Sequence, residues 1–294
     1  MMKTSLSTAP GPAFPRTVLQ MQVFLKQGIP GESAGSDALL LLARVLGQSK
    51  SWLLAHPEAG LSQEQVAQLE DYRRRLAGGE PLPYLLGSWE FYGLDFTVTP
   101  AVLIPRPETE RLVETASGWL QSRPIRRRAA DAGTGSGCIA VSLAASHPDL
   151  HVWASDLSRP ALEVARQNVL RHQVQDRVQL VQSSLLTAFA GPFDLVCANL
   201  PYIPSADLAG LRVAQSEPRL ALDGGLDGFA SIQLLLADAR RWLAPGGLAL
   251  LEIEARQGAA AVNLARRWIP GARVSVRPDL AGLDRMITIE MADS

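Results

Sequence analysis

Arg128-Ala-Ala-Asp-Ala-Gly-Thr-Gly-Ser-Gly-Cys-Ile-Ala-Val-Ser-Leu-Ala-Ala-Ser146 is the stretch that decides the fold. Its short apolar start predicts a buried strand over 128–132, and its apolar end predicts a helix over 137–146. Between them Asp131 to Gly137 forms a loop of small residues, where backbone N–H groups and the helix dipole can face a polar ligand. Outward from it, the pattern gives a helix over 108–121, strand 151–155, helix 159–171, and strands 178–182 and 193–198. It goes on with helix 229–243, strand 247–253, helix 256–267 and strands near 272–277 and 285–291. This alternation predicts a doubly wound α/β sheet.

Before residue 80 the period is different. Val18, Met21, Phe24 and Leu25, then Leu39 to Leu42 with Val45 and Leu46, then Val66, Leu69 and Leu76 recur at helical spacing, which predicts a small all-helical domain. Ser62 and Gln65 have the form of a capping box, and Gly78 and Gly79 would end the helix they open. Pro81 and Pro83 read as helix stoppers, and Glu90 to Thr99 as two short strands turning at Gly93 and Leu94. The expected organisation is a flexible tail over 1–15, a helical domain over 16–84, a β-hairpin linker over 85–106 and an α/β domain over 107–294.

Composition removes several classes of function. Of 294 residues 47% are hydrophobic and 19% charged, against about 25% charged in typical soluble domains, so the chain as a whole is not disordered. Lys and Arg total 28 against 29 Asp and Glu, which leaves no bulk field to hold nucleic acid or an anionic membrane. The basic runs Arg73 to Arg75, and Arg123 with Arg126 to Arg128, read as solvated faces. Cys138 and Cys197 make neither a disulfide scaffold nor a metal spacing, which fits a reducing cytoplasm. No window approaches the roughly 18 apolar residues of a membrane span. A G-x-S-x-G elbow is absent, and His56, His147, His151 and His172 fall near element ends without ligand spacing, so neither a serine hydrolase nor a metal site is expected.

The loop reads G-x-G-x-G; a dinucleotide fingerprint would need glycine where Cys138 stands. Asp156, at the end of the next strand, can accept both ribose hydroxyls of an adenosine, and the pairing suits S-adenosylmethionine. Asp131 reads as a loop-fixing residue and Cys138 as a small core residue. Phe193 to Asn199 is an apolar strand ending in a polar residue, and Asn199-Leu-Pro-Tyr202 stands at its carboxyl end, where such sheets bind ligands. An amino group conjugated to a carbonyl or an aromatic ring is a poor nucleophile with two hydrogens to orient. The Asn199 side-chain oxygen and the Leu200 carbonyl can accept one each, Pro201 holds that carbonyl in place, and Tyr202 offers an aromatic wall. Catalysis would then come from orientation and desolvation, without a metal. The competing reading is a structural turn at each motif, and their joint presence argues against it.

Around the linker the sequence becomes more selective. Gly79-Glu-Pro-Leu-Pro-Tyr84, Glu90-Phe-Tyr-Gly93, Leu103-Ile-Pro-Arg-Pro-Glu-Thr-Glu110 and Glu217-Pro-Arg-Leu-Ala-Leu-Asp-Gly224, together with the two motifs above, resemble the peptide-chain release factor glutamine N5-methyltransferases, the HemK/PrmC family. The resemblance runs from about Gly79 to the C-terminus, with the helical domain matching in size and type. It implies a Rossmann-like class I methyltransferase sheet and methyl transfer from S-adenosylmethionine to the glutamine of the Gly-Gly-Gln tip of class 1 release factors. The helical domain would recognise that substrate, with no direct nucleic-acid or membrane partner and a monomer as the default state. By position, Gly133, Thr134, Gly135, Ser136, Gly137, Asp156 and Leu185 would bind the cofactor, as would Asn199. Asn199, Leu200, Pro201 and Tyr202 would bind the glutamine amide. Leu103 to Glu110 would frame the mouth of the site, with Arg106 and Glu108 open to a structural reading as an ion pair and a helix-start charge. Two positions depart from the family: Leu200 stands where it usually has proline, and Ser184 where it tends to carry an acid near the adenine. Glutamine methylation of a ribosomal protein and N6-methylation of adenine in RNA are the rival activities, and an inert cofactor-binding scaffold is the rival of another class.

Overall fold

Thr17 and Ser62 each lend a side-chain oxygen to the first turn of a helix, accepting from the Gln20 and Gln65 amides. Such caps satisfy N–H groups that have no partner within the helix. The structure, a computed structural model, describes residues 15–29, 31–279 and 281–293. The tail expected over 1–15 lies outside the described residues except for Pro15. The chain divides into two units between Leu86 and Gly87.

The first unit is all-helical: α1 (Val18–Gly28), α2 (Ala34–Leu46), α3 (Lys50–Ala55), α4 (Gln63–Ala77) and α5 (Leu82–Leu86). Met21, Leu25, Leu41, Leu42 and Leu69, which the helical spacing singles out, are fully buried, and so is Leu53 of α3. The capping box at Ser62 and Gln65 is complete on both sides. One expectation fails: Pro81 and Pro83 do not keep the next residues out of a helix. Pro83 sits in the first turn of α5, where a missing N–H costs nothing.

The second unit opens with β1 (Ser88–Phe91) and β2 (Leu94–Thr97), paired antiparallel. Their turn falls at Tyr92 and Gly93, both with positive φ, and not at Gly93 and Leu94 as expected. A two-residue hairpin turn of type I′ needs that backbone at both centres. Tyr92 tolerates it while its N–H donates to Glu110 Oε1 at 3.0 Å and the Gly93 N–H donates to Glu90 Oε1 at 2.7 Å. Phe91 and Phe96 pack into the core of this unit.

Then follow α6 (Pro107–Gln121), β3 (Arg128–Ala132), α7 (Cys138–Ser146), β4 (His151–Asp156), α8 (Arg159–Arg171), β5 (Val178–Gln182) and β6 (Phe193–Ala198). Short 3-10 turns lie between Leu208 and Ala221, followed by α9 (Ala230–Ala237), α10 (Ala239–Trp242), β7 (Leu243–Glu252), α11 (Gly258–Trp268), β8 (Arg273–Pro278) and β9 (Asp284–Glu290). The seven strands run in the order β5-β4-β3-β6-β7-β9-β8. All pair in parallel except β9, which is antiparallel to β7 and β8. This is the doubly wound α/β sheet that the alternation predicts. Its strands are apolar on both faces: Leu195 and Cys197 of β6 face one core, Val196 and Ala198 the other, as a sheet covered on both sides requires.

The single helix expected over 229–243 is two, broken at Asp238. The Trp242 ring N–H donates to the Leu235 carbonyl at 2.9 Å, and Leu243 already pairs with Phe193 before the register shifts. Strand pairing therefore claims Leu243, the last residue of the expected helix.

Candidate active site

The order of strands reverses between β3 and β6, and the loops leaving their carboxyl ends are the two motifs of the sequence. In open α/β sheets this crevice is where ligands sit. A cavity of about 290 Å³ lies there. Gly133, Thr134, Gly135 and Ser136 line it, with Asp156, Leu185, Asn199, Leu200 and Pro201. So do Leu103, Pro105, Arg106 and Thr109 of the segment expected to frame its mouth. Gly137 and Tyr202 are not among the lining residues: Gly137 is the N-cap of α7, and Tyr202 is half-buried beside Pro201.

Buried Asp131 underpins the glycine loop. Its Oδ2 accepts from the Thr134 hydroxyl at 2.6 Å and from the Ala140 amide at 3.3 Å, joining the loop to α7. Loss of hydration raises its pKa to about 7. At Gly133 an added β-carbon would stand 2.9 Å from Leu200 Cδ2, so the absence of a side chain there lets the two motifs pack together. Leu200 itself is buried. Asp156 Oδ2 accepts from the Gly135 amide and Oδ1 from the Ser158 amide, each at 2.8 Å. Burial raises its pKa, and those amide bonds pull in the other direction. A carboxylate held this way keeps lone pairs free for a diol. Cys138 lies in the core, its thiol pushed up to about 12 by burial, which is a packing role and not that of a nucleophile. Among the described residues no group of His, Cys, Asp and Glu could hold a metal.

Asn199 is part of a hydrogen-bonded chain. Its Nδ2 donates to Thr109 Oγ1 at 3.0 Å, that hydroxyl donates to Glu252 Oε2 at 2.7 Å, and the Tyr202 hydroxyl donates to Glu252 Oε1 at 3.4 Å. Glu252, at the end of β7, is 2% exposed, and burial raises its pKa to about 7. The same environment and the neighbouring carboxylate push the Tyr202 hydroxyl well up from the phenol range.

A family model described as the PrmC N-terminal domain matches residues 20–87, and one described as the methyltransferase small domain matches 111–227. A release factor glutamine methyltransferase of Moorella thermoacetica is 44% identical over 254 residues, covering 85% of this chain and 88% of its own length. One from Nitratidesulfovibrio vulgaris is 41% identical over 259 residues, covering 85% and 86%. The chain belongs to the release factor glutamine methyltransferase family. It is thus an enzyme with a class I methyltransferase fold. A crystal structure of a methyltransferase from Pyrococcus furiosus, 18% identical, shares that fold with a TM-score of 0.51 over 76% of this chain and 99% of its own.

Several contacts of this methyltransferase's site join segments that the sequence offers only separately, and the ion-pair reading of Arg106 is the one the structure shows. Arg106 and buried Glu217 form an ion pair, and Glu217 Oε2 also accepts from the Ile104 amide at 3.0 Å; this ties the Leu103–Glu110 segment to the Glu217–Gly224 segment. Buried Asn168 of α8 exchanges hydrogen bonds with the Thr97 backbone at 2.7 and 3.0 Å and donates to the Ser136 carbonyl at 2.8 Å. It therefore staples the hairpin to the glycine loop. An asparagine on the apolar stripe of α8 was the available clue. Leu185, expected at the cavity, adopts a positive φ of 51°, a conformation that non-glycine residues hold only where surroundings enforce it.

Proposed function

We propose that this enzyme transfers a methyl group from S-adenosylmethionine to the side-chain amide nitrogen of the glutamine in the Gly-Gly-Gln motif of class 1 peptide-chain release factors. The observation that carries the reading is Asn199 at the cavity wall, its amide nitrogen tied back to Thr109 and its oxygen left for a substrate. The relatives named for release factor glutamine methylation support the same substrate.

The residues present fit the cofactor. Asp156 offers a carboxylate to a ribose diol, the Gly133–Ser136 backbone allows close approach, and Leu157, Leu185 and Ile139 supply apolar walls. When bound, S-adenosylmethionine supplies a methyl group already activated on a sulfonium centre. The protein's part is orientation. Asn199 Oδ1 and the Leu200 carbonyl accept one amide hydrogen each, and Pro201 and Tyr202 hold the planar group. The nitrogen gains a methyl and then loses one hydrogen as a proton. Holding a weak nucleophile in one geometry in a dry site lowers the barrier without a strong base. The helical unit would recognise the release factor, and the enzyme would act in the cytoplasm as a monomer.

Incubation with labelled S-adenosylmethionine and a release factor, its tip Gln→Ala variant, whole ribosomes or ribosomal RNA, followed by mass spectrometry, tests this. Methyl on the tip glutamine alone is the expected result. Label on a ribosomal protein or on RNA adenine would move the substrate to a rival, and no label anywhere would leave an inert module.

A further inference from the structure

Thr109, in the Leu103–Glu110 segment, and Glu252, outside every quoted motif, decide which end of the Asn199 side chain faces the cavity. A threonine hydroxyl carries one hydrogen, and a carboxylate can only accept. With that hydrogen given to Glu252 Oε2 at 2.7 Å, Thr109 Oγ1 meets Asn199 as an acceptor. Only the NH₂ end of the amide satisfies it, at 3.0 Å. The carbonyl oxygen is thereby turned away from Thr109. We propose that Glu252, acting through Thr109, is a positioning device that fixes the amide rotamer of Asn199, so that its oxygen and not its NH₂ meets the substrate amide.

The inference rests on the proposed amide substrate: with the rotamer reversed, two N–H donors would face each other across the site. Several features support it. Thr109 and Glu252 are each 2% exposed, so water does not compete for the relay. Thr109 also lines the cavity, placing the last link at the reacting side. The second oxygen of Glu252 accepts from Tyr202, which holds the carboxylate plane. Arg285 lowers and Glu108 raises the proton affinity of Glu252, and Arg285 is itself paired with Asp279 at 3.1 Å. Burial of a carboxylate is costly unless its oxygens are used, and here both are.

The test is steady-state methylation of a release factor, in mildly alkaline buffer, by wild type, Thr109→Val and Thr109→Ser. Calorimetric titration with S-adenosylmethionine and thermal denaturation are measured alongside. Thr109→Val keeps the shape and removes the hydroxyl; it should lower kcat at least about tenfold while leaving cofactor affinity within about twofold. Thr109→Ser keeps the hydroxyl and should retain most of the rate. Equal losses in Val and Ser, or an unchanged kcat in a folded Val variant, would overturn the proposal, because packing alone predicts one or the other. Should Thr109→Val not fold, Glu252→Gln carries the test: its amide can meet Thr109 with either end, so kcat should fall several-fold, and an unaltered kcat overturns the relay. A wild-type enzyme inert toward the release factor overturns the functional reading instead, which keeps the two failures apart.

Discussion

Asn199 and Asp156 stand at equivalent places, just beyond β6 and at the end of β4, yet they are held by different forces. Asp156 is fixed by two backbone amides of its own neighbourhood, Asn199 by a side chain ninety positions away in sequence. Replacing Asn199 by Ala removes an orienting acceptor but little cavity wall. Methyl transfer should fall by orders of magnitude while calorimetry shows cofactor affinity nearly intact; a full rate would discard the mechanism. Asp156→Ala removes a charged acceptor worth about 1.5–3 kcal/mol per hydrogen bond, so the dissociation constant for S-adenosylmethionine should rise roughly ten- to hundredfold. A normal constant would show that the ribose lies elsewhere. Both residues were legible in the sequence because each follows an apolar strand directly. Thr109 was legible only as part of the Leu103–Glu110 segment and Glu252 not at all, because nothing local gives a role to a threonine near a helix start or to a glutamate at a strand end. The histidines show the opposite case: His56, His147 and His172 are helix C-caps, as their places near element ends suggested.

At the scale of elements, the site depends on loops pressed against strand ends. The Pro201–Tyr202 backbone is packed under the Asp223–Phe229 loop, and at Gly228 an added β-carbon would overlap the Tyr202 carbonyl oxygen. Gly228 also has φ +80°. Gly228→Ala should therefore destabilise the protein by about 2 kcal/mol or more through overpacking and backbone strain, read as a lower denaturant midpoint at constant m-value. An unchanged midpoint would mean that the loop can lift away without cost. Periodicity located these elements but not all their ends. The hairpin turn falls at Tyr92 and Gly93, where acceptors on Glu90 and Glu110 reach its amides, and α10 ends at Trp242, where Leu243 pairs with Phe193.

For the whole molecule, charge is balanced at 28 Lys and Arg against 29 Asp and Glu, and the basic run before β3 is engaged. Arg126 pairs with Asp194 at 3.0 Å, Arg127 with Asp149, and Arg123 and Arg128 lie over Trp119 and Trp153. They cluster near the amino end of β3, the end opposite the cavity. Global stability should carry the mark of Glu252. Its folded-state pKa is raised from 4.5 to about 7 by burial, so the native state binds more protons than the unfolded chain between those values. Its contribution is fully present below the unfolded value and lost as pH rises through about 7. Glu252→Gln has no such proton, so its melting temperature relative to wild type should climb across that window and level off above it. A difference independent of pH would mean that Glu252 ionises without penalty.

The sequence by itself determined the alternation that builds the sheet, the small helical unit, the glycine loop, the strand-end Asn199-Leu-Pro-Tyr202 and the family they belong to. Each of these is written in neighbouring residues, where period, caps and turn residues act over a few positions. Only the tertiary structure decided that Thr109, Asn199 and Glu252 form one relay, that Glu217 holds Arg106, and that Asn168 staples the hairpin to the glycine loop. These bonds join segments whose proximity follows from the strand order β3-β6-β7 and from the helices packed on it. No local pattern encodes that order, because hydrogen bonds between distant segments depend on the packing of the cores on the two faces of the sheet.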